Sequence, residues 1–176
     1  LNTTGASNTA IGYNALQANT TATYSTAVGF ESLLVSTTGY ANTSIGDRTL
    51  RANTTGHHNT ALGSVVLYDN TTGTHNTSIG SETMRYNTTG SNNTNVGYNS
   101  LNANTTGTSN VAVGYNSMGD ATTGGYNTCL GIDSGSKITT GTSNVLIGRL
   151  SGSHNYYLTT GADNVLIGAL SDATTS

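Results

Sequence analysis

Residues 2–18 read N-T-T-G-A-S-N-T-A-I-G-Y-N-A-L-Q-A, and the same pattern returns at 53–69 as N-T-T-G-H-H-N-T-A-L-G-S-V-V-L-Y-D. Between and beyond them the beat does not change. A Gly preceded by an aliphatic residue stands at Gly12, Gly29, Gly46, Gly63, Gly80, Gly97, Gly114, Gly131 and Gly148, each 17 residues after the last. The tenth, Gly168, comes after 20, which places three extra residues within Ser151 to Leu158, around His154-Asn155-Tyr156-Tyr157. The Thr-Thr pair keeps the same spacing, from Thr3-Thr4 to Thr159-Thr160. Ten units in register define a repeat protein, in which each unit is one supersecondary element.

Seventeen residues are too few for a helix pair, and Thr, Asn and Gly are poor helix formers. They suit one coil of a β-solenoid: a short strand, a Gly corner, a second short segment and another turn. N-T-A-I alternates with period two, so Thr9 and Ile11 share one face and Asn8 and Ala10 the other. Two aliphatic columns run through the repeat. One is Ile11, Val28, Ile45, Leu62, Ile79, Val96, Val113, Leu130, Ile147 and Ile167. The other is Leu16, Leu33, Leu50, Leu67, Met84, Leu101 and Met118, and it fails at Gly135 and Gly152. Val111, Val145 and Val165 replace the Thr9-type residue in later units, which argues that the Thr9–Ile11 face points inward. Ile79→Asp is then expected to bury a carboxylate in a narrow apolar core.

Composition agrees with a periodic, thinly filled fold. Leu, Ile, Val and Phe together stay below the ~20% under which an ordinary core becomes hard to build. Charged residues are only 7% and the net charge is -3. Five Lys and Arg leave no basic footprint for nucleic acid, and no stretch approaches the ~20 apolar residues of a membrane span. One cysteine, Cys129, excludes an intrachain disulfide framework. The chain opens on Leu1, in mid-repeat and without Met, which reads as a piece of a longer protein. Residues 1–170 form the expected solenoid shaft, and 171–176 a partial repeat or tail leading to a further C-terminal region.

No motif asks for chemistry. We find no catalytic, cofactor-binding or metal-binding residue set, and expect no enzyme and no cofactor. His57, His58 and His75 fall in the variable slot after Thr-Thr-Gly, where other units place Ala-Ser or Ser-Asn, and neither they nor His154 keep a ligand spacing with a carboxylate or Cys. The column Asn8, Asn42, Asn59, Asn76, Asn93, Asn110, Asn127, Asn144 and Asn164, with Ser25 as its one substitute, reads as a turn-stabilising amide ladder. The Thr-Thr pairs invite comparison with ice-binding Thr rows, but adjacent residues face opposite ways and the pair runs straight into Gly, which reads as a turn. Tyr13, Phe30, Tyr98 and Tyr115 share a slot that could touch sugars or cover a seam between chains. Sequons at Asn2, Asn19, Asn53 and Asn92 come with a Thr/Asn repeat and say little about glycosylation.

With the unit laid out, N-T-A-I-G-Y-N-A-L followed by N-T-T-G resembles the repeats of phage tail fibres and of related tail-fibre-domain proteins of bacteria. In such proteins the repeat shaft is often followed by a self-cleaving trimerisation chaperone. Asn8-Thr9-Ala10-Ile11-Gly12 also resembles the head repeat of trimeric autotransporter adhesins, in which three β-rolls pack side by side, although the unit here is longer. The resemblance covers residues 1–170. It implies an all-β parallel solenoid packed as an extracellular homotrimeric fibre of the virion tail or cell surface, with itself as partner. Contact with a host glycan or protein would fit, and nucleic acid and membrane insertion would not. The alternatives are a bacterial adhesin head and an ice-binding solenoid. Leu146 and Leu166, which take the Ala10 column in the last two units, are expected to make the C-terminal end the greasiest seam between chains.

Overall fold

The computed structural model describes residues 2–154 and 158–172, so Asn155–Tyr157 of the insertion and 173–176 of the tail lie outside the described residues. Ten three-residue strands follow one another: β1 Thr9–Ile11, β2 Thr26–Val28, β3 Thr43–Ile45, β4 Thr60–Leu62, β5 Thr77–Ile79, β6 Thr94–Val96, β7 Val111–Val113, β8 Thr128–Leu130, β9 Val145–Ile147 and β10 Val165–Ile167. They form one parallel sheet in chain order. The register is that of the repeat: Thr9 pairs with Thr26, Ala10 with Ala27 and Ile11 with Val28, and so on along the stack. No helix occurs among the described residues. The expected β-solenoid is present, with one strand per 17-residue unit.

Pairing does not stop at the strands. In the corner after the sheet, Glu31 N–H donates to the Tyr13 carbonyl of the coil before it, and Leu33 N–H to the Thr49 carbonyl of the coil after it. That alternation requires the chain to reverse its carbonyls residue by residue. Three positions of the unit therefore sit in the left-handed region, for example Ser7, Asn14 and Leu16 at φ 59°, 57° and 52°. Each costs a non-glycine residue on the order of 1–2 kcal/mol, and stacking on both sides holds it there. The Gly12 column has φ near 130°, a region only Gly occupies readily. The Gly5 column differs. Its φ lies outside that region, and a Cβ would press on a backbone carbonyl of the next coil, that of Ala22 in the case of Gly5; Ala22, the one non-glycine in the column, shows that the corner yields to a side chain once.

The interior corrects one expectation. In the eight strands from β2 to β9 the buried residue is the middle one: Ala27, Ser44, Ala61, Ser78, Asn95, Ala112, Cys129 and Leu146. Thr9 and Ile11 types point outward, and Ile45, Leu62, Ile79, Val96 and Val113 keep 36–44% of their surface exposed. The alternation was legible, but its sense was inverted. The reason is volume. A coil whose far wall already presents Leu33, Leu50 or Leu67 has room opposite it for Ala or Ser, not for a second aliphatic column. Ile79→Asp is therefore not a core lesion within one protomer.

The second correction concerns Leu146 and Leu166. Leu146 does not face a neighbouring chain; it is buried within its own coil, and the half-buried Leu166 packs against the same core. A Cβ on Gly152 would lie 2.9 Å from Leu146 Cδ1, and one on Gly135 3.0 Å from the same atom and 2.7 Å from Cys129 Sγ. The failures of the Leu16 column at Gly135 and Gly152 are thus the other half of the change from Ala to Cys and Leu in the strand.

Candidate functional site

Two amide ladders fill the polar half of the interior. In the expected one, Asn42 Oδ1 accepts from Asn59 N at 3.0 Å and Asn59 Nδ2 at 3.2 Å, while Asn59 Nδ2 also donates to the Gly73 carbonyl at 2.9 Å. Ser25 keeps its place in that column by donating its N–H to Asn8 Oδ1 and accepting from Asn42 N on its Oγ. The second ladder is the Asn of N-T-T-G, which the sequence showed only as a string of sequons. Asn70 Nδ2 donates to Asn53 Oδ1 at 2.8 Å, Asn87 to Asn70 at 2.7 Å and Asn104 to Asn87 at 2.7 Å. It stops where Ala121 and Ile138 take over, leaving Asn104 Oδ1 without a protein partner. Asn19 and Asn53 are buried in this ladder, so their sequons are closed to modification in the folded chain, whereas Asn2 and Asn92 are exposed.

The unbroken Thr-Thr pair has an equally structural cause. The Thr20 carbonyl accepts from the N–H groups of Thr3, Thr4 and Gly5 at 3.0, 3.1 and 3.3 Å, and from Thr3 Oγ1 at 2.8 Å. Successive N–H groups converging in this way form a nest for negative partial charge. In the first nine coils the carbonyl of the next coil fills it; the Thr54 carbonyl does so for Thr37, Thr38 and Gly39. The first Thr of each pair is spent on this contact, and the second points to solvent. The flat Thr rank lies elsewhere, on the sheet face beside the Ile11 column.

Sequence reasoning treated the histidines as scattered. The structure brings His57, His58 and His75 together at one corner, with centroid distances of 5.4 Å (57–58), 5.6 Å (57–75) and 4.9 Å (58–75), and with Tyr40 stacked on His57 at 4.7 Å. The signal was available: residues 40 and 57, like 58 and 75, differ by one repeat, and neighbouring coils superpose. Among the described residues no three His, Cys, Asp or Glu are placed to hold a metal ion. His154 lies apart, its N–H donating to Asp172 Oδ1 at 3.0 Å. The aromatic slot forms two short stacks, Tyr13 on Phe30 at 5.4 Å and Tyr98 on Tyr115 at 5.6 Å. Their rings lie against each other along the rod.

Charge is segregated. All five Lys and Arg and all eight Asp and Glu fall outside the Thr9 and Ile11 columns. They occupy the other walls, where Arg51 Nε meets Glu31 Oε2 at 2.7 Å and Lys137 Nζ meets Asp120 Oδ2 at 2.8 Å. The Glu31 hydrogen bond raises the Arg51 pKa above its ordinary value. The sheet face carries only Thr or Val in one rank and Ile, Val or Leu in the other. No cavity opens among the described residues. Its described residues therefore form a parallel β-solenoid without a pocket, whose distinctive surface is one uncharged sheet face. No family model, curated protein or solved structure matches it.

Proposed function

We propose that the chain is a structural, non-enzymatic segment of an extracellular homotrimeric fibre, best read as the shaft of a phage tail fibre, which projects and stiffens and can present host-contacting side chains. The observation that carries the reading is the coil-to-coil pairing, unbroken through the strands and joined by the corners, the Asn8-type ladder, the Thr-Thr nests and, as far as Asn104, the second Asn ladder, all bonding along one axis. A rod so built resists bending, because tilting one coil breaks several ladders together. At ~4.8 Å per coil, ten coils make a segment about 45–50 Å long. Such a part transmits position and load, and it has no need of a pocket.

The repeat resemblance directs the reading to tail fibres, and the exposed aliphatic rank gives a lone rod a reason to associate. Light scattering coupled to size exclusion checks it: the expected mass is three times 17.9 kDa. A monomer that stays monomeric when concentrated would reject the trimeric fibre.

A further inference from the structure

We infer that the sheet face formed by the Thr9 and Ile11 columns is the surface on which copies of this chain pack, in register, coil against coil. The inference rests on the fibre reading above and says which wall makes the contact. Ten strands of three residues give a strip about 45 Å long and 10 Å wide, on the order of 450 Å² before side-chain relief is counted. Contiguous apolar patches of a few hundred Å² mark interaction surfaces. Here the aliphatic rank is exposed or half-exposed along the whole sheet, from Ile11 to Ile167, including 36% for Ile79 and 44% for Leu62.

Three features commit the face to a second copy. First, the two columns never carry a charge in ten coils, while all the charged residues stand on the other walls. A surface kept free of ions is one that can be desolvated at little cost. Second, the face is periodic at the ~4.8 Å coil spacing, so only a partner with the same rise stays matched over its full length. A second copy has that rise by construction, whereas an irregular globular surface would lose step within a coil or two. Third, substitutions along the ranks preserve the surface type: Thr exchanges with Val, and Ile with Val or Leu. By contrast the aromatic slot passes from Tyr13 and Phe30 to Asp47, Ser64 and Arg149, which no continuous interface could follow.

Around a three-fold axis, equivalent residues of the three chains lie at one height. Ile79→Lys then sets three ammonium groups together on the axis, yet in a single protomer its side chain reaches water. The expected result is loss of the threefold mass to 17.9 kDa with an unchanged far-UV dichroism spectrum, while Thr72→Lys on a corner away from the sheet stays trimeric. Should the wild type be trimeric and Ile79→Lys remain so, this face is not the interface and the fibre reading still stands. Should the wild type be monomeric, both fail, and faceting of ice crystals by that monomer would reassign the face to ice.

Register is read separately, in a Cys129→Ala background, since Ala27, Ala61 and Ala112 occupy the same column. Thr77→Cys should oxidise to covalent dimers. A mixture of Thr77→Cys and Thr128→Cys chains should give no mixed dimer, because three coils separate them by roughly 14 Å and a disulfide requires Cα atoms within about 7 Å. Mixed dimers would overturn the in-register packing, and so would disulfides from Thr72→Cys but none from Thr77→Cys.

Discussion

Coils three to six and coils eight to nine solve the same packing problem with opposite side-chain sets. In the first region the far wall carries Leu50, Leu67, Met84 and Leu101, the strand centre carries Ser44, Ala61, Ser78 and Asn95, and the polar corner carries Asn53, Asn70, Asn87 and Asn104. In the second the far wall shrinks to Gly135 and Gly152, the strand centre swells to Cys129 and Leu146, and the polar corner turns aliphatic with Ile138 and Leu158. Backbone register is the same in both. A coil thus constrains the total interior volume and leaves open which wall supplies it, as expected for cores close-packed near crystal density. The difference also alters what holds each region: two amide ladders in one, and in the other a single amide ladder, which continues through Asn127 and Asn144, beside apolar contact.

The largest expected effect comes from forcing one solution into the other region. Leu146→Ala empties the strand centre of β9 and should cost about 2–5 kcal/mol as a cavity. Gly152→Leu drives a side chain into Leu146 Cδ1 and should cost about 1–3 kcal/mol or more as overpacking. The double variant recreates the arrangement of coils three to six at that level. Chemical denaturation of the four proteins should therefore give a favourable coupling of roughly 2–3 kcal/mol. Additive losses would mean that the two positions do not share one volume.

The ladders give the next largest effect. Asn87→Leu leaves Asn70 Oδ1 without its donor, takes one of the two amide donors from the Gly90 carbonyl, which keeps Asn76 Nδ2, and interrupts the stack with Asn104. With about 1–3 kcal/mol for the one buried group left unpaired, and the loss of the further bonds to Gly90 and Asn104, a loss of about 2–3 kcal/mol is expected in thermal or urea melts. Ile138→Asn makes the reverse change in the aliphatic region, where the neighbouring coils place Ala121 and Leu158 and offer no amide. It should also destabilise, by about 2 kcal/mol. If Ile138→Asn is tolerated while Asn87→Leu is not, the corner accepts amides anywhere and the two regions are less different than their side chains suggest.

How much of this was legible in the sequence depends on the length scale. The 17-residue spacing of Gly and of Thr-Thr dictated coil, strand position and register, because a solenoid repeats its chain direction with its sequence. The Asn8 ladder was legible for the same reason. Which face of N-T-A-I turns inward was not, because Thr and Ile suit an outer face that meets another surface as well as they suit an inner one. Alternation gives two faces without labelling them. Only the Leu16 column, which already fills the interior, decides it. The exchange between Gly152 and Leu146 lay beyond sequence reading since the two come from opposite walls of one coil. The histidine corner was missed because residues 40, 57, 58 and 75 were read one slot at a time, although 40 and 57, and 58 and 75, lie a single repeat apart.

Cys129 gives the smallest effect and distinguishes the regions by pH. Burial in the aliphatic coils pushes its thiol pKa from 9.0 up to about 12, with Ser134 pulling the other way. The folded chain therefore keeps the proton where the unfolded chain loses it. The sign follows: a raised folded pKa contributes its full stability below the unfolded value, and that contribution falls as pH rises from about 9 to about 12. At about pH 10, one unit above the unfolded value, the loss is roughly 1.4 kcal/mol. Phenol groups ionise in the same range, so the absolute slope is mixed, and the comparison must be made between variants. Cys129→Ala restores the side chain that Ala112 has at the same position one coil earlier. It should be somewhat less stable than wild type at neutral pH, by the volume of one sulfur, and that gap should close by about 1.4 kcal/mol between about pH 8 and pH 10. The native thiol should likewise resist alkylating reagents until the C-terminal coils open. A pH-independent gap, or alkylation as fast as that of a free thiol, would mean that coils eight and nine admit water where the N-terminal coils exclude it.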